Sequence, residues 1–129
     1  MSARPPLIAI VDDDPRLRES VADLLESAGY AAYGFSSAEA LIIHGLTGLD
    51  LLITDIGMRG MDGFDLRDLV KSVRPDLPVF LITGRHEIAD QVRAQDVDVF
   101  FRKPFDAVAL LAAIEAALQS PKGEGDDEN

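Results

Sequence analysis

Apolar residues along this chain come in short runs that alternate with longer stretches of mixed polarity. Five runs have the length and composition of buried β-strands: Leu7 to Val11, Tyr30 to Phe35, Leu49 to Thr54, Pro78 to Ile82 and Val97 to Phe101. Between and after these runs, apolar residues recur every three or four positions, which is the spacing of amphipathic helices. The pattern therefore predicts five strands that alternate with five helices.

Capping signals support the first two predicted helices. Asp14 is suited to the N-cap position of the first helix, Pro15 to its first turn, and Gly29 to the position where it stops. Ser36 and Glu39 have the spacing of a capping box, in which the serine caps the second helix and the glutamate returns a hydrogen bond. We therefore expect a long first helix and a shorter second helix.

The remaining three helices differ in how well their apolar residues define a buried face. The third ends before Pro75, the fourth lies near Glu87 to Ala94 with few inward residues, and the last covers about Asp106 to Gln119. The predicted inward residues are Phe64, Leu66, Leu69, Val70 and Val73 in the third helix, and Val108, Leu111, Ala112, Ile114 and Leu118 in the last. We expect firm packing of the last helix and weak anchoring of the fourth.

Alternating strands and helices are typical of parallel β-α units. Right-handed crossovers then place helices on both faces of one sheet, so the predicted fold class is α/β, a doubly wound parallel sheet. The 129 residues suit one domain, with no room for a separate output module. Residues 1–119 are the predicted domain. Residues 120–129 contain four acids and no large apolar side chain, and we expect a disordered acidic tail there.

Composition and charge exclude several classes of function. A formal net charge of -11 would repel a phosphate backbone, which argues against direct nucleic-acid binding. The absence of cysteine excludes disulfides and thiol catalysis. The apolar runs are too short to span a membrane, and the early run Leu7 to Val11 leads directly into three aspartates, unlike a signal peptide. We therefore expect a cytoplasmic protein that does not bind membranes.

Polar residues follow four of the predicted strands. Asp12 and Asp13 follow the first strand, Asp55 the third, Thr83 the fourth and Lys103 the fifth. Ligands of open parallel sheets bind at this carboxyl edge. Unopposed carboxylates about 4 Å apart repel each other by roughly 4 kcal/mol, so a positive group is expected among them. Carboxylate oxygens suit Mg²⁺, and Lys103 adds a fixed charge. Taken alone, the acid pair is more often two helix caps or a solvated acidic loop, and it is the combination with the other residues that favours a metal site.

Five sequence motifs together resemble the receiver domains of two-component response regulators over about residues 7–119. They are Val11-Asp12-Asp13-Asp14, Leu52 to Met58, Gly60-Met61-Asp62-Gly63, Ile82-Thr83-Gly84 and Lys103-Pro104-Phe105. Each of them is weak alone, but their order and their positions at the ends of strands make chance similarity improbable. The resemblance implies a flavodoxin-like strand order of 2-1-3-4-5.

The resemblance also implies a role for each site residue. Asp55 matches the aspartate that accepts a phosphoryl group, Asp13 the direct Mg²⁺ ligand and Asp12 the ligand that acts largely through water. Gly57 matches the position that offers a backbone carbonyl to the metal, and Lys103 the lysine that pairs with phosphoryl oxygens. Phosphoryl transfer requires chiefly alignment and charge neutralisation, which these groups could supply.

Two further positions match the residues that transmit phosphorylation to the surface. Thr83 matches the hydroxyl that moves to the new phosphoryl group, and Phe100 matches an aromatic switch, although simple core packing would also explain that phenylalanine. If the chain follows the family, the Lys103–Pro104 peptide bond is cis. Arg59 departs from the family, which commonly has proline at that position.

The expected function is a phosphoacceptor switch that is not an enzyme in its own right, although it assists its own phosphorylation and dephosphorylation. The partners implied are a sensor histidine kinase or phosphotransfer protein, and a protein target at the face of the fourth helix, fifth strand and fifth helix; homodimer formation on phosphorylation is a further option. One alternative is an interaction module that works without phosphorylation. A metal-dependent hydrolase is another, but no second acid follows Asp55 at short spacing to act as general acid.

Overall fold

A computed structural model describes residues 4–84 and 99–119 of the chain. Nine elements lie in these ranges, in the order β1 (Leu7–Val11), α1 (Pro15–Ser27), β2 (Ala31–Phe35), α2 (Ala38–His44), β3 (Leu51–Asp55), α3 (Gly63–Val73), β4 (Val79–Thr83), β5 (Val99–Arg102) and α4 (Ala107–Gln119). The helix predicted near Glu87 to Ala94 and the tail predicted for residues 120–129 lie outside the described residues. α4 is the last helix of the sequence prediction.

The five strands form one parallel sheet in the order β2-β1-β3-β4-β5. Ile10 of β1 pairs with Ile53 of β3, and Asp55 at the end of β3 pairs with Ile82 of β4. The chain builds outward from β1 to β2 on one side and from β3 to β5 on the other. The strand order therefore reverses between β1 and β3, and this is the point where ligands of such sheets bind. The predicted fold class and strand order are confirmed.

Helices cover both faces of the sheet, and each face has its own apolar core. One core packs α2 and α3 against the sheet through residues such as Leu41, Leu66 and Val70. The other packs α1 and α4 through residues such as Val21 and Ile114. All five residues of β3 and of β4 are buried, as expected for central strands of a parallel sheet. The end of β3 is thus held rigidly at the middle of the molecule.

The capping of α1 agrees with the sequence, whereas that of α2 does not. Asp14 is the N-cap of α1, and its side chain accepts a hydrogen bond from the backbone N–H of Arg16. The predicted capping box of Ser36 and Glu39 is wrong, because the N-cap of α2 is Ser37, whose hydroxyl accepts from the N–H of Ala40 at 3.0 Å. Two neighbouring serines offered the same capping chemistry, and spacing alone favoured the wrong one.

Several helical residues predicted to face inward are exposed. They are Leu69 and Val73 of α3, Val108 and Ala112 of α4, and Val73 and Val108 are 62% and 73% exposed. In α4 the fully buried residues are instead Leu110 and Ile114. Because α4 has alanine, valine and leucine on every side, its periodicity does not identify one buried face. None of the helices in residues 4–84 and 99–119 is long and apolar enough to cross a membrane.

Candidate functional site

Three carboxylates meet where the strand order reverses. Asp12 and Asp13 come directly after β1, and Asp55 is the last residue of β3. One oxygen from each of the three lies within 4.8 Å of the others. Asp12 has no exposed surface and Asp55 is 6% exposed, whereas Asp13 is open to solvent. The predicted acidic cluster therefore exists, with two buried members and one at the surface.

Asp12 is fixed by hydrogen bonds to both of its carboxylate oxygens. Oδ1 accepts from the backbone N–H of Asp14 at 2.9 Å, and Oδ2 accepts from Nζ of Lys103 at 2.9 Å. The backbone of Asp12 is held as well, since its N–H donates to the carbonyl of Phe35 and its carbonyl accepts from Arg18. A buried carboxylate needs such partners, because burying its charge without them would cost on the order of several kcal/mol.

Lys103 brings the positive charge into contact with the two buried carboxylates. Its Nζ atom also lies 3.4 Å from Oδ1 of Asp55. The backbone N–H of Lys103 donates to the carbonyl of Thr83 at 2.8 Å, which extends the pairing of β4 and β5 beyond the end of the strands. The Lys103–Pro104 peptide bond is cis, as the family resemblance implied.

Burial and neighbouring charges shift the pKa values of the central pair. Desolvation is the main reason why the pKa of Asp55 is raised, and the nearby charge of Asp12 raises it further, against a smaller opposing effect of Lys103. Desolvation also acts to lower the pKa of Lys103, but its hydrogen bond to Asp12 and the charges of Asp12 and Asp55 together raise that pKa above its ordinary value. The ammonium group therefore stays protonated at neutral pH.

A tight loop follows Asp55 and leads into α3. Ile56 accepts two backbone hydrogen bonds through its carbonyl, from the N–H of Met58 at 3.1 Å and from that of Gly63 at 3.0 Å. The first bond closes a turn around Gly57. A Cβ atom at Gly63 would collide with the backbone of Asp55 and Ile56, so only glycine lets α3 begin this close to the end of β3.

Thr83 and Phe100 lie on neighbouring strands. Thr83 is the last residue of β4 and is almost fully buried. Phe100 pairs with Leu81 of β4 and packs, partly buried, against the core that contains α2 and α3. Because Leu81 and Thr83 are two residues apart on one strand, Thr83 and Phe100 share a face of the sheet. The structure thus places the two proposed switch residues next to each other along that face.

One contact of this region was missed by the sequence reasoning. The sequence spacing predicts that Glu39 belongs to a capping box, but its carboxylate accepts a hydrogen bond from the backbone N–H of Met61, in the loop before α3. No sequence signal joins a helix position to a loop position 22 residues away. The contact depends on how closely the first turn of α2 and the loop after β3 approach each other in the folded chain.

The fold and the site together define a class of protein. The class is that of doubly wound α/β domains with a carboxylate cluster and a lysine at the strand reversal, an arrangement able to hold a hard divalent cation and a phosphoryl group side by side. The family model described as "Response regulator receiver domain" matches residues 8–115. The chain therefore belongs to the receiver domain family of two-component response regulators.

Similar proteins agree with this assignment. The chain is 38% identical over 122 residues to the transcriptional regulatory protein GlrR of Escherichia coli strain K12, covering 92% of this chain and 28% of that protein. It is 33% identical over 126 residues to the transcriptional regulatory protein FixJ of Azorhizobium caulinodans, covering 95% of this chain and 59% of that protein. It thus spans less than two thirds of the length of these relatives.

A solved structure matches the fold over nearly its whole length. The crystal structure of a response regulator receiver protein from Pseudomonas putida superposes with a TM-score of 0.80 at 30% identity, covering 89% of this chain and 99% of that chain. Receiver domains act as signalling switches rather than as conventional enzymes, and they bind Mg²⁺ at an acidic pocket.

Proposed function

We propose that residues 1–119 are a receiver domain in which Asp55 accepts a phosphoryl group from the phosphohistidine of a sensor histidine kinase or phosphotransfer protein. The observation that carries the proposal is the position of the Asp55 carboxylate, at the end of the central strand, within the three-carboxylate cluster and 3.4 Å from Lys103. Residues 120–129 would be an acidic tail outside this unit.

In the proposed reaction a carboxylate oxygen of Asp55 attacks phosphorus and forms the acyl phosphate. The bond between phosphorus and the imidazole nitrogen of the partner breaks, and its electron pair stays on that nitrogen. No oxidant or reductant is needed, since one P–O bond replaces one P–N bond. Hydrolysis would later return Asp55 to the carboxylate and release inorganic phosphate, so the domain assists both steps and remains a switch rather than an enzyme.

The donor set fits Mg²⁺. Asp13, Asp12, Asp55 and the backbone carbonyl of Gly57 are the groups that would hold the ion, and all of them offer the hard oxygen ligands that it prefers. When bound, Mg²⁺ would neutralise charge on the phosphoryl oxygens and on the carboxylates around them. Asp12 is already fixed by the Asp14 N–H and by Lys103, so this part of the site is formed before the ion binds.

Lys103, Thr83 and Phe100 would respond to the phosphoryl group. The Lys103 ammonium would pair with its oxygens, a role supported by the present contact with Asp55. The Thr83 hydroxyl would move to a phosphoryl oxygen, and Phe100 on the same sheet face would turn inward into the space this movement leaves. The change would then reach the surface of β5, α4 and the predicted helix near Glu87 to Ala94, which would bind a protein target.

The charge of the chain supports a protein as the direct partner of this domain. With a net charge of -11, direct binding to nucleic acid or to an anionic membrane surface is unfavourable. The names of GlrR and FixJ describe transcriptional regulation, and we propose for this chain only the receiver role in such a cytoplasmic signalling system.

The test is phosphorylation by a small donor. Incubation with Mg²⁺ and acetyl phosphate should add the mass of one phosphoryl group to the intact protein, and Asp55→Asn should abolish this gain. Asp23→Asn, at an exposed acid of α1, is the matched control and should be phosphorylated like the wild type. A wild-type protein that gains no mass would favour the interaction module, and release of phosphate from phosphate esters without an adduct would favour the hydrolase.

A further inference from the structure

Glu39 joins the first turn of α2 to the loop between β3 and α3, which we define as residues 57–62. Its Oε2 atom accepts a hydrogen bond from the backbone N–H of Met61 at 3.1 Å. The Glu39 side chain is exposed, so burial does not force it into this position. The first turn of α2 does not need it for capping either, since Ser37 fills that role. The hydrogen bond to the Met61 N–H is therefore the interaction that the structure shows for this carboxylate.

Two methionines of this loop are held by apolar packing against the core. Met58 is buried in the core formed with α2 and α3, and Met61 packs against the same core. Gly60 lies between these two anchors with φ at +71°, and a Cβ atom added there would lie only 2.9 Å from Oε2 of Glu39. The Glu39 carboxylate thus lies directly against the loop backbone at Gly60.

The same two segments form the walls of a cleft beside the acidic cluster. The cleft is lined by Ser36 and Ser37, which precede α2, by Arg59 of the loop and by Asp13 of the cluster. The cleft has a volume of about 410 Å³. Glu39 lies two residues after Ser37 and is hydrogen-bonded to the loop that carries Arg59, so this bond joins the two segments that line the cleft.

We infer that Glu39 is a positioning residue for the phosphorylation of Asp55. Through the Met61 N–H it holds the upper part of the loop, and with it Arg59, in place beside the acidic cluster. This inference rests on the proposed function. It assigns the residue an indirect role, because Glu39 contacts the loop and not the carboxylate cluster.

The test compares Glu39→Ala, Glu39→Gln and, as a matched control, Glu26→Ala at an exposed glutamate near the end of α1. Amide hydrogen exchange should quicken at Met61 in Glu39→Ala, while the amides of Met58 and Gly63, which donate to Ile56, keep their protection. Phosphorylation by acetyl phosphate with saturating Mg²⁺ should slow by about three- to tenfold, the range expected for loss of one ordinary hydrogen bond at an exposed position. The melting temperature should change little.

The conservative variant separates positioning from general disturbance. Glu39→Gln retains an oxygen acceptor, so it should restore most of the phosphorylation rate and of the protection at Met61, and Glu26→Ala should match the wild type. An unchanged rate in Glu39→Ala, despite faster exchange at Met61, would overturn the inference and leave the proposed function intact. A wild type that is never phosphorylated would overturn both, and the exchange data would then describe a purely structural contact.

Discussion

Nζ of Lys103 lies 2.9 Å from Oδ2 of Asp12, a carboxylate with no exposed surface. The two residues are 91 positions apart and come from opposite sides of the strand reversal. Their ion pair joins the end of β5 to the end of β1 across the site, and it neutralises a charge that the core would otherwise have to accommodate.

Lys103→Ala should lower the free energy of unfolding by about 3 kcal/mol at neutral pH without Mg²⁺, because it leaves the buried Asp12 carboxylate without its cation. Lys71→Ala is the matched control. It removes a hydrogen bond from an ammonium group to the Leu77 carbonyl but abandons no buried charge, so about 1 kcal/mol is expected. Urea denaturation measures the free energy of unfolding of both variants. Combining Asp12→Asn with Lys103→Ala should recover much of the stability that Lys103→Ala alone removes. Equal losses at the two lysines would contradict this account.

Asp55→Asn should raise the melting temperature of the metal-free protein by a few degrees at neutral pH. The folded-state pKa of Asp55 is raised above its ordinary value of 3.8, mainly by burial, so the folded chain holds this proton more tightly than the unfolded chain does. The stability linked to that proton is full below the ordinary value and is lost as the pH rises through the raised pKa. Asparagine carries no such charge.

The gain from Asp55→Asn should therefore shrink as the pH falls towards the ordinary carboxyl pKa, as followed by thermal melts over a pH series. Asp23→Asn serves as the control, since that carboxylate is exposed on α1, and its melting curve should stay close to the wild type throughout. An asparagine variant that is less stable than the wild type at neutral pH would show that the contact with Lys103 outweighs the burial of Asp55.

Mg²⁺ should raise the melting temperature of the wild type, because an ion that binds only the folded state stabilises it by about 2.7 kcal/mol at one hundred times its dissociation constant. Asp13→Asn should abolish most of this rise. Asp13 is exposed, so its replacement should leave the metal-free melting temperature almost unchanged. Asp23→Asn should respond to Mg²⁺ like the wild type; a full response in Asp13→Asn would place the ion elsewhere.

Gly63→Ala should destabilise the protein by roughly 2 kcal/mol or more, since the added methyl group meets the backbone of Asp55 and Ile56, which cannot move without shifting β3. Gly34→Ala is the matched control. There the nearest atoms belong to the flexible side chain of Arg18 at 3.4 Å, and the backbone suits any residue. Denaturant titration of both variants checks the difference, which would be absent if α3 could simply move away from β3.

The strand ends explain why most of the site could be predicted from the sequence. Parallel strands finish at one edge, so the residues that follow them meet there whatever lies in between, and this rule alone predicts that Asp12, Asp55 and Lys103 lie close together. Nothing in that reasoning required a side-chain position. The same logic gave the strand alternation, because buried central strands such as β3 are uninterrupted apolar runs.

The wrong predictions concern positions where several residues offer the same chemistry, and the missed contact joins two segments that are distant in the sequence. Ser36 and Ser37 could each cap α2, and only the fold selects Ser37. Val108 is exposed on the face of α4 that also carries Glu115 and Gln119, and the many apolar residues of this helix conceal that face in the sequence. Glu39 and Met61 meet because the first turn of α2 approaches the loop after β3, and neither residue type predicts such a contact.

β3, the middle strand of the sheet, ends in Asp55, whereas Phe100 is on β5, an outermost strand whose residues are all at least partly accessible. Exposing Asp55 by local fraying would mean separating β3 from both β1 and β4, an event close in cost to unfolding the whole domain. β5 pairs with β4 alone, so its separation from the sheet breaks the pairing with only one strand. The carboxylate that we propose as the phosphoacceptor therefore lies where local opening is rarest, and the aromatic residue that we propose as the switch lies on a strand that opens more easily. Phosphorylation at the central strand would thus be detected at an edge of the sheet.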